Sequence, residues 1–130
     1  MLAVALSLAA CATGSPPPSV TSGVPLEPVV GATESGEASW YGSEHQGRRT
    51  SSGEPFDMHK LTAAHPTLPL GTHLLVINLR NGRSVQVRVN DRGPRAPGRI
   101  IDLSYAGAET LGYIQSGLTP VRIQVLSLPR

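Results

Sequence analysis

The apolar and polar positions divide the 130-residue chain into three stretches. Residues 2–10 are almost all apolar. Residues 12–35 are dominated by Pro, Ser, Gly and Thr without any period, the composition of a linker. From Gly36 onward short segments alternate with the two-residue period of half-buried strands. Residues 37–42 set Ala38 and Trp40 on one face, Ser39 and Tyr41 on the other. Residues 61–64 form a short second candidate, and residues 72–79 an apolar, β-branched third. In residues 83–90, Val85, Val87 and Val89 oppose Gln86, Arg88 and Asn90. Asn81-Gly82, between these two segments, is a strong hairpin signal. Residues 99–103 and 121–126 complete the set. One helix is predicted over 105–111, with Ser104 as N-cap and Gly112 as the stop. Six short strands, one short helix and many Gly/Pro turns predict a mainly β fold, a compact closed barrel that leaves no exposed strand edge.

The N-terminal stretch is too short to span a bilayer, which takes about 20 apolar residues. It fits the apolar core of a secretory leader, and Leu8-Ala9-Ala10-Cys11 resembles the lipobox of bacterial lipoproteins, in which the cysteine thiol is acylated and the preceding peptide removed. Pro16, Pro17 and Pro18 stop any helix here, which argues against a buried thiol in an ordinary helix. No Lys or Arg precedes the apolar run, so the signal is atypical or the start truncated. Cys11 is the only cysteine, which excludes an intramolecular disulfide. Several acyl chains on one residue give stable anchoring. Ala12, where inner-membrane retention would call for Asp, points to an outer-membrane lipoprotein facing the periplasm. The expected organisation is therefore residues 1–11 as leader and lipidated cysteine, 12–35 as tether, and 36–130 as one barrel domain.

Charge adds little. Every Lys and Arg, and every acidic residue except Glu27, follows Thr33, and the net charge is +2. No like-charge run stands out, and the five aromatic residues are not interleaved with a basic patch, which argues against nucleic acid as a partner. The mild basic excess suits either a solvated surface or an anionic polymer. His45, His59, His65 and His73 show no paired ligand spacing, so neither a metal nor another cofactor is expected.

Three ionisable residues lie in turn-like, otherwise small or apolar surroundings: Glu54 in Ser52-Gly53-Glu54-Pro55, His65 in Ala63-Ala64-His65-Pro66, and Asp91 in Asn90-Asp91-Arg92-Gly93-Pro94. Singly, each has a structural explanation: an exposed turn acid, a satisfied histidine after a strand, an Asp that caps a turn or pairs with Arg92.

Together with their surroundings they resemble a known family. The motifs are Ala38-Ser39-Trp40-Tyr41-Gly42, Gly47-Arg48-Arg49-Thr50, Gly53-Glu54, Phe56-Asp57, Leu61-Thr62-Ala63-Ala64-His65, Thr67-Leu68-Pro69, Asn81-Gly82-Arg83-Ser84, Asn90-Asp91-Arg92-Gly93-Pro94 and Gly98-Arg99-Ile100-Ile101-Asp102-Leu103-Ser104. Their order and spacing resemble rare lipoprotein A, the septal-ring lytic transglycosylases with a double-psi β-barrel. The resemblance covers residues 36–126. It implies that Glu54, His65 and Asp91 form the active site, and that the substrate is the glycan strand of peptidoglycan. Departures fall at Glu44-His45-Gln46, Pro66 and Arg95-Ala96-Pro97, and bear on substrate fit. Many members carry a C-terminal peptidoglycan-binding domain, which a chain stopping at Arg130 is expected to lack.

The implied reaction breaks the muramic acid–glucosamine bond without water. The C6 hydroxyl of muramic acid attacks its own C1 and leaves a 1,6-anhydro ring. One carboxyl suffices, first as acid, then as base, and it must start protonated. Asp91 is the first candidate and Glu54 the second; the alternative is that the two share a site in which each raises the other's pKa. His65 would orient a carboxylate or donate to the sugar. Trp40 and Tyr41 would stack on a sugar ring or pack the barrel. Arg92 would meet a lactyl carboxylate or be locked to Asp91 or Asp102, and Asp102 would cap the helix start or bridge strands. Two competing readings are a non-catalytic, expansin-like wall-binding lipoprotein and a hydrolase that activates water with a second carboxylate.

Overall fold

The computed structural model describes residues 26–130; the leader, Cys11 and the first part of the tether lie outside the described residues. Six strands, β1 (Thr33–Tyr41), β2 (Thr62–Ala64), β3 (His73–Asn78), β4 (Ser84–Asp91), β5 (Arg99–Ser104) and β6 (Thr119–Ser127), close into one barrel in the order β1-β5-β2-β4-β3-β6. The pairs β1–β5 and β2–β4 are parallel and the rest antiparallel.

The expected alternation builds the core. Val85, Val87 and Val89 of β4, Leu74 and Val76 of β3, Ile101 and Leu103 of β5, and Val121, Ile123 and Val125 of β6 all point inward and are buried. The barrel starts earlier than expected. Thr33 opens β1 because residues 33–38 pair with β6, and Leu26 and Ala32 pack on the core. The β3–β4 hairpin turns through residues 79–83, a longer connection than Asn81-Gly82 alone. Gly82 takes the left-handed conformation (φ 78°), and the Asn81 side chain donates from Nδ2 to the Leu111 carbonyl and accepts the Arg83 N–H.

The one α-helix among the described residues, α1 (Tyr105–Leu111), begins and ends where its caps predict. Ser104 Oγ accepts the Gly107 N–H at 3.2 Å and donates to the Lys60 carbonyl at 2.6 Å, tying the helix to the segment before β2. Gly112 closes it at φ 82°; a side chain there would also collide with Arg83.

Candidate active site

The strand registers put four residues in one row. Ser39 of β1 faces Asp102 of β5, Asp102 faces Ala64 of β2, and Ala64 faces Asp91 of β4. Neighbouring strands are about 4.8 Å apart, so the two aspartates lie roughly 10 Å apart at the backbone, with only the Ala64 methyl between them. Their side chains and Ala64 line a cleft of about 310 Å³, together with Ser39, Trp40, Tyr41, Glu44, His45, Arg92 and Arg99. A register shift between Ala63 and Ala64 makes Val89 and Asp91 oppose successive residues of β2, so Asn90 has no partner in that ladder. Bulges of this kind re-aim side chains beside functional sites.

Asp91 is held by dipoles. Its Oδ1 accepts the Ser51 N–H (3.0 Å), the Ser51 hydroxyl (2.8 Å) and the Arg92 N–H (2.9 Å). No described residue hydrogen-bonds its Oδ2. Asp102 is held by a cation: its Oδ1 accepts from Arg99 Nη2 at 2.8 Å and from the Ser39 hydroxyl, which in turn accepts from Arg99 Nη2 at 2.6 Å. Asp102 therefore bridges β1 and β5, and Ser104 caps the helix.

Glu54 does not enter the cleft. Arg88 of β4 grips it with two bonds, Nη1 to Oε1 at 2.7 Å and Nη2 to Oε2 at 3.2 Å, and Asn90 Nδ2 donates to Oε1 at 3.2 Å. The Arg88 guanidinium is the main reason its pKa falls from 4.5 to about 2. The alternative in which Glu54 and Asp91 raise each other's pKa is thus corrected: Glu54 stays ionised at neutral pH. What it does is strap the 50–55 turn to β4. The Arg49–Pro55 bridge and the Thr50 N–H to Glu54 carbonyl bond close that turn, and Ser51 at its tip sits on Asp91.

His65 is also turned away. Its ring is buried, its Nδ1 accepts the Thr67 and Leu68 N–H groups at 3.1 and 3.2 Å, and its Nε2 lies 3.2 Å from Glu34 Oε1. With Nδ1 occupied as an acceptor, Nε2 carries the proton and donates to Glu34. The turn it organises receives Arg92, whose Nη1 donates to the His65 and Leu68 carbonyls at 3.0 and 2.7 Å. Those carbonyls hold the Arg92 guanidinium, so of its two expected roles the one locked to Asp91 or Asp102 is corrected. Trp40 both packs and lines the cleft: Nε1 donates to the Ile114 carbonyl at 3.3 Å, and Tyr105 meets its ring edge-on at 5.6 Å.

Sequence reading passed over Ser39, Arg99, Glu34, Arg88 and Ser51. Ser39 and Arg88 carried the signal of alternation, and Arg99 lies three residues from Asp102. Glu34, Arg88 and Ser51 meet partners 31, 34 and 40 residues away along the chain, which no local pattern reveals. Glu44 and His45, noted before as departures, line the mouth.

A closed six-stranded double-psi β-barrel with a polar cleft at the ends of β1, β2 and β4 defines the class of protein. The chain belongs to the family described as lytic transglycolase, which matches residues 33–123. It is 54% identical over 100 residues to the endolytic peptidoglycan transglycosylase RlpA of Vibrio cholerae, covering 77% of this chain and 38% of that protein. It is 52% identical over 102 residues to the protein of the same name from Campylobacter jejuni, covering 78% of this chain and 37% of that one. The chain thus spans well under half the length of these relatives. Among solved structures, the Streptomyces papain inhibitor superposes with a TM-score of 0.63 at 24% identity, over 75% of this chain and 97% of that one. The apo expansin of Clavibacter michiganensis gives 0.60 at 25% identity, over 75% of this chain and 52% of that one.

Proposed function

We propose that this domain is a lytic transglycosylase that cleaves the glycan strands of peptidoglycan, peptide-poor ones by preference, to 1,6-anhydro-muramyl ends, with Asp91 as the acid and base. One observation carries the assignment of the acid. Of the three carboxyls considered, only Asp91 both lines the cleft and has no guanidinium on its oxygens. A carboxyl that starts the reaction protonated cannot also neutralise a cation, and Glu54 and Asp102 each do. The Asp91 carboxyl gives its proton to the glycosidic oxygen as the C1–O bond breaks. The C6 hydroxyl oxygen bonds to C1, and its proton returns to Asp91. Asp102, fixed by Arg99 and Ser39, stabilises positive charge developing at C1. Glu54 and His65 are positioning residues, the first through Ser51 and the second through Arg92. The relatives' names support the substrate and the reaction. In the full protein, we place the domain on a tether between Cys11 and the barrel, anchored by lipid at Cys11, in the outer membrane facing the periplasm.

The likeness to an expansin favours one second reading, a wall-binding lipoprotein without turnover. Mass spectrometry of purified glycan strands, with and without peptides, after incubation with the chain and its Asp91→Asn variant separates the two. Anhydro ends from the parent and none from the variant are expected. Reducing ends would mean a hydrolase, and intact strands with retained binding would mean the second reading.

A further inference from the structure

Five buried side-chain polar atoms among the described residues lack a hydrogen-bond partner, and three of them, Tyr41 Oη, His45 Nδ1 and Arg99 Nε, belong to residues that line the cleft. Orphaned groups cost about 1–3 kcal/mol each when nothing satisfies them, so their concentration at one place marks where a polar ligand sits. Tyr41 is the most constrained of the three. It ends β1 two residues beyond Ser39, its ring stacks on Phe56 at 4.5 Å and 26°, and the edge of His45 closes it at 5.2 Å. The ring therefore has no free face for a sugar, and of its two expected roles it takes packing in place of stacking on a sugar. Only the hydroxyl remains to meet substrate.

We infer that Tyr41 Oη is the hydrogen-bond donor that seats a substrate hydroxyl between Asp91 and Asp102. Resting on the transglycosylase reading, the group seated is the muramic acid C6 hydroxyl. The chemistry selects an alcohol. A phenol that keeps its proton offers it to an acceptor, while Asp102, paired with Arg99, is a carboxylate throughout and Asp91 becomes one once its proton has passed to the glycosidic oxygen, so that both then only accept. A group that meets both must accept from Tyr41 and donate to an aspartate at the same oxygen, as a hydroxyl does and a carboxylate, phosphate or ammonium does not. Burial first, then Asp91, then Asp102 hold the Tyr41 proton in place far above neutral pH, so the donor does not switch off in the range where the enzyme works. In the step itself Tyr41 loses nothing. The C6 oxygen accepts its hydrogen bond while the C6 proton passes to Asp91 and the C6–C1 oxygen bridge forms.

Tyr41→Phe removes only the hydroxyl and keeps the stack on Phe56. The 130-residue chain and this variant are compared on purified peptide-free glycan strands, by yield of anhydro-muramyl ends, by binding to the same strands, and by thermal melting. Because the lost hydroxyl has no partner in the free protein, the variant is expected to melt at or above the parent's temperature while its turnover falls about tenfold, the loss of one neutral hydrogen bond. Parent-like turnover in Tyr41→Phe overturns the inference and leaves the transglycosylase reading standing. If the parent itself makes no anhydro ends, that reading fails and strand binding decides. About tenfold weaker binding by the variant then keeps Tyr41 Oη as the donor to a sugar hydroxyl; equal binding, or binding by neither protein, overturns it. A variant that melts well below the parent shows that the hydroxyl has a structural role, and overturns it as well.

Discussion

Replacing Glu54 by Gln tests the strap between the 50–55 turn and β4. Gln keeps the shape and one acceptor but removes the charge that Arg88 grips. The carboxyl's fall from 4.5 to about 2 sets a ceiling of about 3 kcal/mol on what the charged form contributes. Both side chains are about a third exposed, 31% for Glu54 and 34% for Arg88, so solvent screening brings the expected loss to about 1 kcal/mol. For a domain of this size that lowers the melting temperature at pH 7 by about 4–8 °C. The pH dependence has a definite sign. A carboxyl whose folded pKa is depressed stabilises fully above its unfolded pKa, and the effect is lost as pH falls through the folded value. The gap between parent and Glu54→Gln is therefore expected to be full above about pH 5, to narrow from pH 4.5 downward, and to close near pH 2. Calorimetric melts of both proteins at pH 7, 4 and 2.5 read this directly. A gap that stays constant down to pH 2.5, or no gap at pH 7, would refute the ion-pair account.

The other expectations follow from the same contacts. Asp91→Asn should abolish anhydro product and leave the melting temperature within a few degrees, since the amide oxygen still accepts from Ser51 and Arg92; turnover within tenfold of the parent would remove Asp91 from the chemistry. Ser104→Ala should destabilise by about 1–2 kcal/mol in urea unfolding, because the helix loses its cap and the Lys60 carbonyl loses its donor. His65→Ala should cost about 2–4 kcal/mol, leaving the Thr67 and Leu68 N–H groups orphaned beside a cavity. A His65→Ala protein that melts like the parent yet has lost turnover would show that the ring acts on substrate.

The sequence determined what depends on near neighbours. Alternation fixed which faces of β4 and β6 are inside, because successive side chains on a strand must point to opposite sides. Ser104 and Gly112 fixed both ends of α1, because caps act over three or four residues. The motif pattern singled out Glu54, His65 and Asp91 but not what each one touches. Only closure of the barrel decided that. Glu54 meets Arg88 across 34 residues and His65 meets Glu34 across 31, while the bulge against β2 brings Asp91 into the row of Ala64 and Asp102. A one-residue change of register would send Glu34, Arg88, Asp91 and Asp102 to the other face of their strands. Register is set by how the six strands pack around one core, and no local stretch of sequence contains that information. The same three residues thus became two braces and one cleft carboxyl through pairing partners that lie far from them along the chain.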